Sequence, residues 1–191
     1  MYYDINRFVN LTILLSSQVD SDKLFEVILR EAMLIGNCDA GTIYLLEDDF
    51  LHFRHVITRS QNVSLSASTG ADTIPPIPLS RSFVCAYAAI TKERLNIQDV
   101  YKSSKFDFSG SKKYDAMNNY RTGSMLVIPM AVGNDDVIGV LQLINTMDDK
   151  GSLVDRFGNP VCFSKDQEHL VTALGSVSAL YIENRRLKGL L

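Results

Sequence analysis

Two apolar segments past the middle of the chain constrain the fold more than any other feature. Residues 124–130 and 137–145 are rich in Val, Ile and Leu, and a Gly-Asn-Asp-Asp sequence separates them. Runs of this composition between turn residues are typical of strands that are covered on both faces. We therefore expect a sheet with other elements packed against each side.

Helical and strand patterns continue on both sides of these two segments. The acidic sequence Glu47-Asp48-Asp49 separates two strand-like runs and predicts a hairpin. The further predicted elements are a helix over Asp4–Ser16, a helix from Asp20 or Ser21 to Gly36, strands over 41–46 and 50–57, a short strand near 63–67, a helix over Arg81–Thr91 capped by Ser80, and a strand over Leu95–Ile97. This order predicts an α/β sandwich-like domain.

The last helix has the clearest start signal in the chain. Ser164 and Gln167 have the spacing of a capping box, in which each side chain bonds the other's backbone N–H. Apolar residues then recur at spacings of four, three and four, which is the pattern of a helix-pairing seam: Leu170, Leu174, Val177 and Tyr181. We expect this seam to form a homodimer, with Val171 and Ile182 facing the core. The alternative is that the seam is ordinary core in a monomer.

Composition excludes several classes of function. The chain has 191 residues, a length that fits one domain with terminal helices to spare, and its formal net charge is −3. A negative balance argues against nucleic acid or an anionic membrane as partner. No apolar run approaches the ~20 residues of a membrane span, and the N-terminus lacks the pattern of a signal peptide. The three cysteines lie far apart, which predicts reduced, buried thiols and a cytoplasmic location.

Residues for catalysis or metal binding are sparse. The chain has three histidines, and it contains no glycine-rich phosphate loop, no Cys-x-x-Cys pair and no His-Glu-x-x-His sequence. His52 and His55 are three apart on a predicted strand, so they point to opposite faces and cannot bind one metal. We expect no enzymatic activity, no metal site and no resident cofactor.

Two features point to binding instead. Residues 102–118 form a polar stretch with little periodicity, and a long irregular segment in a compact domain is usually a lid or a binding loop. Gln142 interrupts the apolar side of the strand over 137–145, and a buried amide needs hydrogen-bond partners. Either loop backbone satisfies Gln142, or the amide faces a ligand.

Three sequence segments, in a fixed order along the chain, resemble the GAF domain family. They are Leu95–Tyr101, Asn119–Pro129 and Val137–Asn145. Within that family the sequence of these segments is similar to those of GAF domains in cyclic-nucleotide phosphodiesterases and adenylyl cyclases. It is also similar to those of bacterial GAF modules that precede HD-GYP-type phosphodiesterase domains. The resemblance implies a central antiparallel sheet, with N- and C-terminal helices on one face and ligand loops and short helices on the other.

The resemblance also implies a ligand site. Relatives bind a cyclic nucleotide with backbone at the positions of Val84 and Cys85 against the phosphate, and with a polar side chain at the position of Gln142 facing the purine. The covering segment runs from Asp99 to Thr122, and its expected contacts are Asp99, Asp115, Asn118 and Thr122. For Asp115, the alternative role is to cap a short helical turn.

The chain departs from the family at one signature. Asn145, Phe163 and Glu168 match it, but Thr146 and Gln167 replace a Lys and an Asp that form an ion pair in relatives. The ligand therefore stays open among cAMP, cGMP, another nucleotide and none.

The function that the resemblance implies is a regulatory sensor of a bacterial signalling protein. The ligand state would pass through terminal helices, about 1–36 and 164–191, to an effector domain that we expect beyond the helix-compatible C-terminal end. The alternative is a ligand-free scaffold for dimerisation and relay. A chromophore or haem sensor would need a Cys-His pair or an axial His in the covering segment, and a sulfoxide-reducing enzyme would need several cysteines there. The covering segment contains none of these residues.

Overall fold

A computed structural model describes Ile13, residues 20–133 and residues 136–191. The helix predicted over Asp4–Ser16 lies outside these residues, apart from Ile13. The helices are α1 (Ser21–Ile35), α2 (Val84–Thr91), α3 (Ser109–Asn118) and α4 (Lys165–Leu187). The strands are β1 (Cys38–Glu47), β2 (Phe50–Thr58), β3 (Val63–Ser66), β4 (Ile77–Pro78), β5 (Leu95–Ile97), β6 (Met125–Val132) and β7 (Asp136–Thr146).

The strands form one sheet, and every strand pair in the described chain is antiparallel. The order across the sheet is β3-β2-β1-β7-β6-β5, and β4 pairs with β2 beside β3. The predicted hairpin is confirmed: Glu47 pairs with Phe50 across a two-residue turn. Asp48 and Asp49 both have positive φ, 48° and 65°, as the tight turns that match strand twist require.

Helices α1 and α4 cover one face of the sheet. Asp20 caps α1 by accepting a hydrogen bond from Lys23 N at 2.8 Å, and the helix ends at Gly36, as predicted. Between these two helices and the strands lies the helix-side core. It includes Leu24, Ile28, Leu29, Met33, Ile43, Leu126, Ile128, Leu141, Leu143, Val171, Leu174 and Ile182. This arrangement confirms the expected antiparallel sheet with terminal helices on one face.

Helix α4 begins as predicted but is rotated relative to the expected seam. Gln167 N donates to Ser164 Oγ at 3.2 Å and Ser164 N donates to Gln167 Oε1 at 2.8 Å, which completes the capping box. Val171 and Ile182 are buried, as expected. Leu174 is also fully buried in the helix-side core. The predicted role of Leu174 in helix pairing between two chains is therefore wrong, because α4 packs on the sheet through this side chain.

The opposite face carries α2, α3 and irregular segments. Its cavity-side core comprises Tyr44, Leu51, Val84, Cys85, Ala86, Ala88, Ala89, Val100, Phe106, Phe108, Met125, Val127 and Val140. Along β7 the two sides alternate, since Leu141 and Leu143 belong to the helix side and Val140 to the cavity side. The expectation that loops and short helices lie on this face is confirmed.

Two predicted boundaries on this face are wrong. Helix α2 begins at Val84, with Phe83 as N-cap, because Ser80 and Arg81 belong to a preceding turn. The segment 102–118 is not irregular throughout, since its second half forms α3. Asn119 ends α3 in the left-handed conformation, φ 48°, and its N–H donates to Asp115 O.

Two further expectations concern cysteines and membranes. Cys38 and Cys85 are buried free thiols as predicted, whereas Cys162 is exposed because it lies in the loop before α4. Within the described part of the chain, no helix is long and apolar enough to cross a membrane.

Candidate functional site

The cavity-side face leaves a partly open cavity of about 440 Å³ between the sheet, α2 and α3. This volume lies in the range of roughly 300–1,000 Å³ that holds small-molecule ligands. Its walls are mostly apolar and aromatic, with a few polar side chains. The lining residues are Ala40, Gly41, Thr42, Tyr44, Phe53, Val56, Ile57, Thr58, Ile74, Ile77, Phe83, Val84, Cys85, Asp107, Phe108, Gly110, Ser111, Tyr114, Tyr120, Thr122, Gln142 and Ile144.

Gln142 lies on the sheet side of this cavity, where β7 runs between β1 and β6. The Tyr44 hydroxyl donates to Gln142 Oε1 at 2.8 Å, and Gln142 Nε2 lies 3.1 Å from the sulfur of Met125. Because burial holds the pKa of Tyr44 well above its usual value, that hydroxyl stays protonated and donates. A side chain satisfies the amide oxygen, and the amide N–H groups have only a weak sulfur acceptor.

Helix α2 forms part of the cavity wall through its first turn. Val84 and Cys85 both line the cavity, as the resemblance predicts for a ligand site. The first N–H groups of a helix have no partner within the helix, so this end carries a partial positive charge. Burial raises the pKa of the Cys85 thiol to about 12, so the thiol is uncharged.

Thr122 and Asp115 are brought together at the end of the covering segment. Thr122 N and Thr122 Oγ1 donate to the two carboxylate oxygens of Asp115, at 2.8 and 2.9 Å. The Tyr101 hydroxyl adds a third hydrogen bond at 2.9 Å, which raises the pKa of Tyr101. Thr122 lines the cavity, whereas Asp115 lies behind it with three internal donors. Since its hydroxyl hydrogen goes to Asp115, Thr122 Oγ1 can take part in a further hydrogen bond only as an acceptor.

Asn118 and Asp99 lie away from the cavity lining. The Asn118 side chain donates to Tyr114 O at 2.9 Å on the exposed surface of α3. Asp99 is buried at the start of the covering segment, where Tyr101 N donates to it at 3.0 Å and Arg121 approaches at 3.5 Å. The structure therefore groups Val84, Cys85, Thr122 and Gln142 around one space and leaves Asp99, Asp115 and Asn118 outside its lining.

A hydrogen-bond network that the sequence did not predict holds the covering segment to the sheet. The Tyr120 hydroxyl donates to Asp39 Oδ2 at 2.8 Å, and Asn145 Nδ2 donates to the same hydroxyl at 3.0 Å. Burial and the nearby Asp39 carboxylate raise the pKa of Tyr120. Asn145 Oδ1 accepts from Gly123 N at 2.7 Å. The sequence signal was the Asn at the end of an apolar strand, where Asn145 adopts φ 62°.

The position of the missing ion pair is occupied by a neutral contact. Thr146 Oγ1 and Gln167 Nε2 both donate to the carbonyl of Gly36, at 2.7 and 2.9 Å, and they lie 3.4 Å from each other. This cluster joins the end of β7 to Gly36, the residue that caps the C-terminus of α1, and to the first turn of α4. Uncharged hydrogen bonds therefore connect the elements that the ion pair joins in relatives.

Metal chemistry has no support among the described residues. Nowhere in residues 20–133 or 136–191 do three or more His, Cys, Asp or Glu side chains come together in a way that could hold a metal ion. The cavity wall consists instead of apolar and aromatic side chains with a few hydrogen-bonding groups, which is the usual make-up of a small-molecule site.

Comparison with known proteins places these features in a family. A family model for the GAF domain matches residues 20–182. A cGMP-specific 3',5'-cyclic phosphodiesterase of Drosophila pseudoobscura pseudoobscura is 24% identical over 146 residues, which cover 72% of this chain and 12% of that protein. The chain thus spans a small part of the curated relatives that it matches.

Solved structures share the fold at low sequence identity. The GAF domain of an Acinetobacter phosphoenolpyruvate-protein phosphotransferase superposes with a TM-score of 0.71 at 14% identity, covering 100% of this chain and 99% of the other. A GAF domain/HD domain protein from Geobacter sulfurreducens gives a TM-score of 0.62 at 19% identity, covering 91% and 98%. With the match of the family model over most of its length, the chain belongs to the GAF domain family.

Proposed function

We propose that this chain is the regulatory sensor domain of a bacterial signal-transduction protein, and that it binds a nucleotide-like small molecule in the cavity. The observation that carries the proposal is the partly open cavity of about 440 Å³ with hydrogen-bonding groups on its wall. Thr122 and Gln142 line that space, and they can supply a hydrogen-bond acceptor and amide donors, respectively. A face that served only as core would pack these positions with apolar side chains.

The walls favour a planar ring. Phe53, Phe83, Phe108 and Tyr114 surround the cavity, and aromatic side chains contact flat ligands over a large area at little entropic cost. A nucleobase offers such a plane together with hydrogen-bonding edges. The relative from Drosophila pseudoobscura pseudoobscura is named cGMP-specific, which supports a ligand of this general kind.

A relay to the terminal helices would start on β7. Gln142 lies at the cavity, and four residues further Thr146 contacts Gly36 and Gln167, which belong to the ends of α1 and α4. A small shift of β7 on ligand binding would thus act on both helices, and through them on an effector domain. The neighbour from Geobacter sulfurreducens combines a GAF domain with an HD domain, which supports an effector of that class.

The dimer that completes this relay would use the exposed side of α4. Ala173, Leu180 and Leu187 recur every seven residues on that side, and the two leucines are 57% and 79% exposed. Light scattering should give twice 21.3 kDa for the wild-type chain and 21.3 kDa for Leu180→Glu. Ser104→Glu adds the same charge on another surface and should leave the dimer intact. A wild-type mass of one chain would contradict the dimer.

The ligand proposal is tested by thermal unfolding. A compound at about 100 times its dissociation constant stabilises the folded state by about 2.7 kcal/mol. We expect such a shift with at least one of adenosine, guanosine, cAMP, cGMP and a cyclic dinucleotide. Thr42→Phe, which places a ring in the cavity, should remove the shift. No shift with any compound would favour the ligand-free scaffold.

A further inference from the structure

The charges around the cavity distinguish the ring of a nucleotide from its phosphate. Among the cavity-lining residues of the described chain there is no Lys, Arg or His, and Asp107 is the one charged side chain. Asp107 accepts a hydrogen bond from Ser109 N at 2.8 Å, and the hydrogen bonds from Ser109 lower its pKa, so it is ionised. An anion in this space would meet a carboxylate and no cationic side chain.

Three cationic side chains of the covering segment contact aromatic rings outside the cavity lining. Lys105 Nζ lies 4.7 Å from the ring centre of Tyr87, outside the cavity. Lys112 and Arg121 both lie over the ring of Tyr101, at 5.4 and 4.4 Å, on the outer surface. Turning one of them inward would break a cation–π contact and remove the charge from water.

Three other titratable groups on the wall are neutral. Burial holds the pKa values of Tyr44 and Cys85 above their usual range, and the pKa of Tyr120 is raised by burial and by Asp39. The partial charge at the start of α2, about half a positive charge at most, is the remaining attraction for an anion. It is opposed by Asp107, whose backbone N–H is bonded to Ser82 O at 2.8 Å beside that helix end.

We infer that the ligand of this cavity is an uncharged planar heteroaromatic compound that carries both a ring carbonyl and a ring N–H, and no phosphate. In this inference Gln142, whose amide nitrogen has the Met125 sulfur as its acceptor, donates an N–H to the carbonyl, and Thr122 Oγ1 accepts from the ring N–H. A cationic ligand is disfavoured because Asp107 is exposed and Gln142 Oε1 is already bonded to Tyr44. This inference rests on the proposed sensor function and narrows its ligand from a nucleotide to its uncharged ring portion.

A matched series of probes tests the charge directly. Naphthalene-2-carboxamide, naphthalene-2-carboxylate and naphthalene-2-carboxamidine have one shape and charges of 0, −1 and +1. Isothermal titration should show the carboxamide binding at least tenfold more tightly than either ion. Guanosine against cGMP repeats the comparison with and without phosphate on a ring that has both a carbonyl and an N–H, and guanosine should bind more tightly.

Two variants separate charge from shape. Ser111→Lys places an ammonium group on the cavity wall and should tighten carboxylate binding at least tenfold. Ser104→Lys adds the same charge on an exposed residue outside the lining and should leave all affinities unchanged. Asp107→Asn should narrow the difference between carboxamide and carboxylate.

The outcomes distinguish this inference from the function on which it rests. If the carboxylate, the amidine or a cyclic nucleotide binds as tightly as its uncharged counterpart, the inference is overturned and the sensor proposal stands. If no probe binds to the wild-type chain, both are overturned. Tight binding of the carboxamide that survives Thr42→Phe and Gly110→Trp, at the wall and the mouth, would place the site outside the cavity and overturn both.

Discussion

The two faces of one sheet differ in how they use the same strands. On the helix side, Leu141 and Leu143 are completely buried under α1 and α4, and the space is filled with aliphatic side chains. On the other side, Gln142 faces a cavity of about 440 Å³. Protein interiors contain few voids larger than a water molecule, so such a space is a departure from dense packing. We therefore assign stability to the packed face and the proposed ligand site to the face with the cavity.

The cavity face compensates for its lost packing with hydrogen bonds. Asp115 fixes Thr122 and Tyr101, and Asn145 fixes Gly123 and Tyr120. These bonds hold the covering segment over the cavity without filling it. Directional bonds can keep a space open, whereas aliphatic contacts would close it.

The largest effect should follow from a change on the helix side. Leu141→Ala removes a fully buried side chain and should lower the free energy of unfolding by about 2–5 kcal/mol, because a cavity remains. Chemical denaturation measures this loss. Leu141→Met keeps the volume and should cost less than about 1.5 kcal/mol. A loss below about 1 kcal/mol for the alanine variant would contradict the assignment of stability to this face.

A smaller loss is expected where the covering segment is fixed. Asp115→Ala leaves the N–H and hydroxyl of Thr122 without their acceptor, so it should destabilise the fold by about 1–3 kcal/mol. Hydrogen exchange should show faster exchange in residues 99–123. Ser104→Ala, at an exposed residue of the same segment outside the cavity lining, is the control. If Asp115→Ala left stability unchanged and weakened ligand binding alone, Asp115 would be a ligand contact, as the family resemblance predicts.

The neutral contact at Gly36 should contribute less. Thr146→Val removes a 2.7 Å hydrogen bond and should cost about 0.5–1.5 kcal/mol. Gln167→Leu removes the second donor, and the double variant should lose more than the sum of the single losses, because only then does the Gly36 carbonyl lose both donors. Strict additivity in denaturation experiments would show that the two donors act independently.

The smallest effect concerns pH. Burial opposes ionisation of Glu168, but hydrogen bonds from Asn96 and Lys165 outweigh it, so its pKa is lowered in the folded state. The resulting stabilisation is present above the unfolded-state pKa, near 4.5, and is lost as pH falls through the folded-state pKa. Unfolding measured from pH 7 to pH 3 should show a shallower decline for Glu168→Gln. Parallel curves would rule out this contribution.

Local chemistry explains which elements were predictable. The Asp48-Asp49 turn and the Ser164–Gln167 capping box depend on residues within four positions of each other, and both are present as expected. Helix α3 was missed because its sequence has few apolar residues and contains Gly110. A local signal existed, since Asn119 in the left-handed conformation is a frequent helix end.

Contacts between distant residues were less predictable. The seam of α4 had the right periodicity, but spacing alone does not say which side meets the sheet, and Leu174 turned out to be core. For the candidate site, the sequence likewise identified single residues but not their partners. Sequence identified Gln142 as a buried amide but could not identify Tyr44, 98 positions away, as its partner. The aromatic side chains of the cavity wall come from separate segments of the chain, so no local sequence motif predicts that they form one wall.

Methyl NMR tests the division between the two faces most directly. With isoleucine methyl groups labelled, saturating naphthalene-2-carboxamide should shift the signals of Ile74, Ile77 and Ile144, which line the cavity. The signals of Ile28, Ile128 and Ile182, in the helix-side core, should stay within a small fraction of those shifts. Larger shifts on the helix side, or saturable binding that leaves the three cavity signals unmoved, would contradict the account.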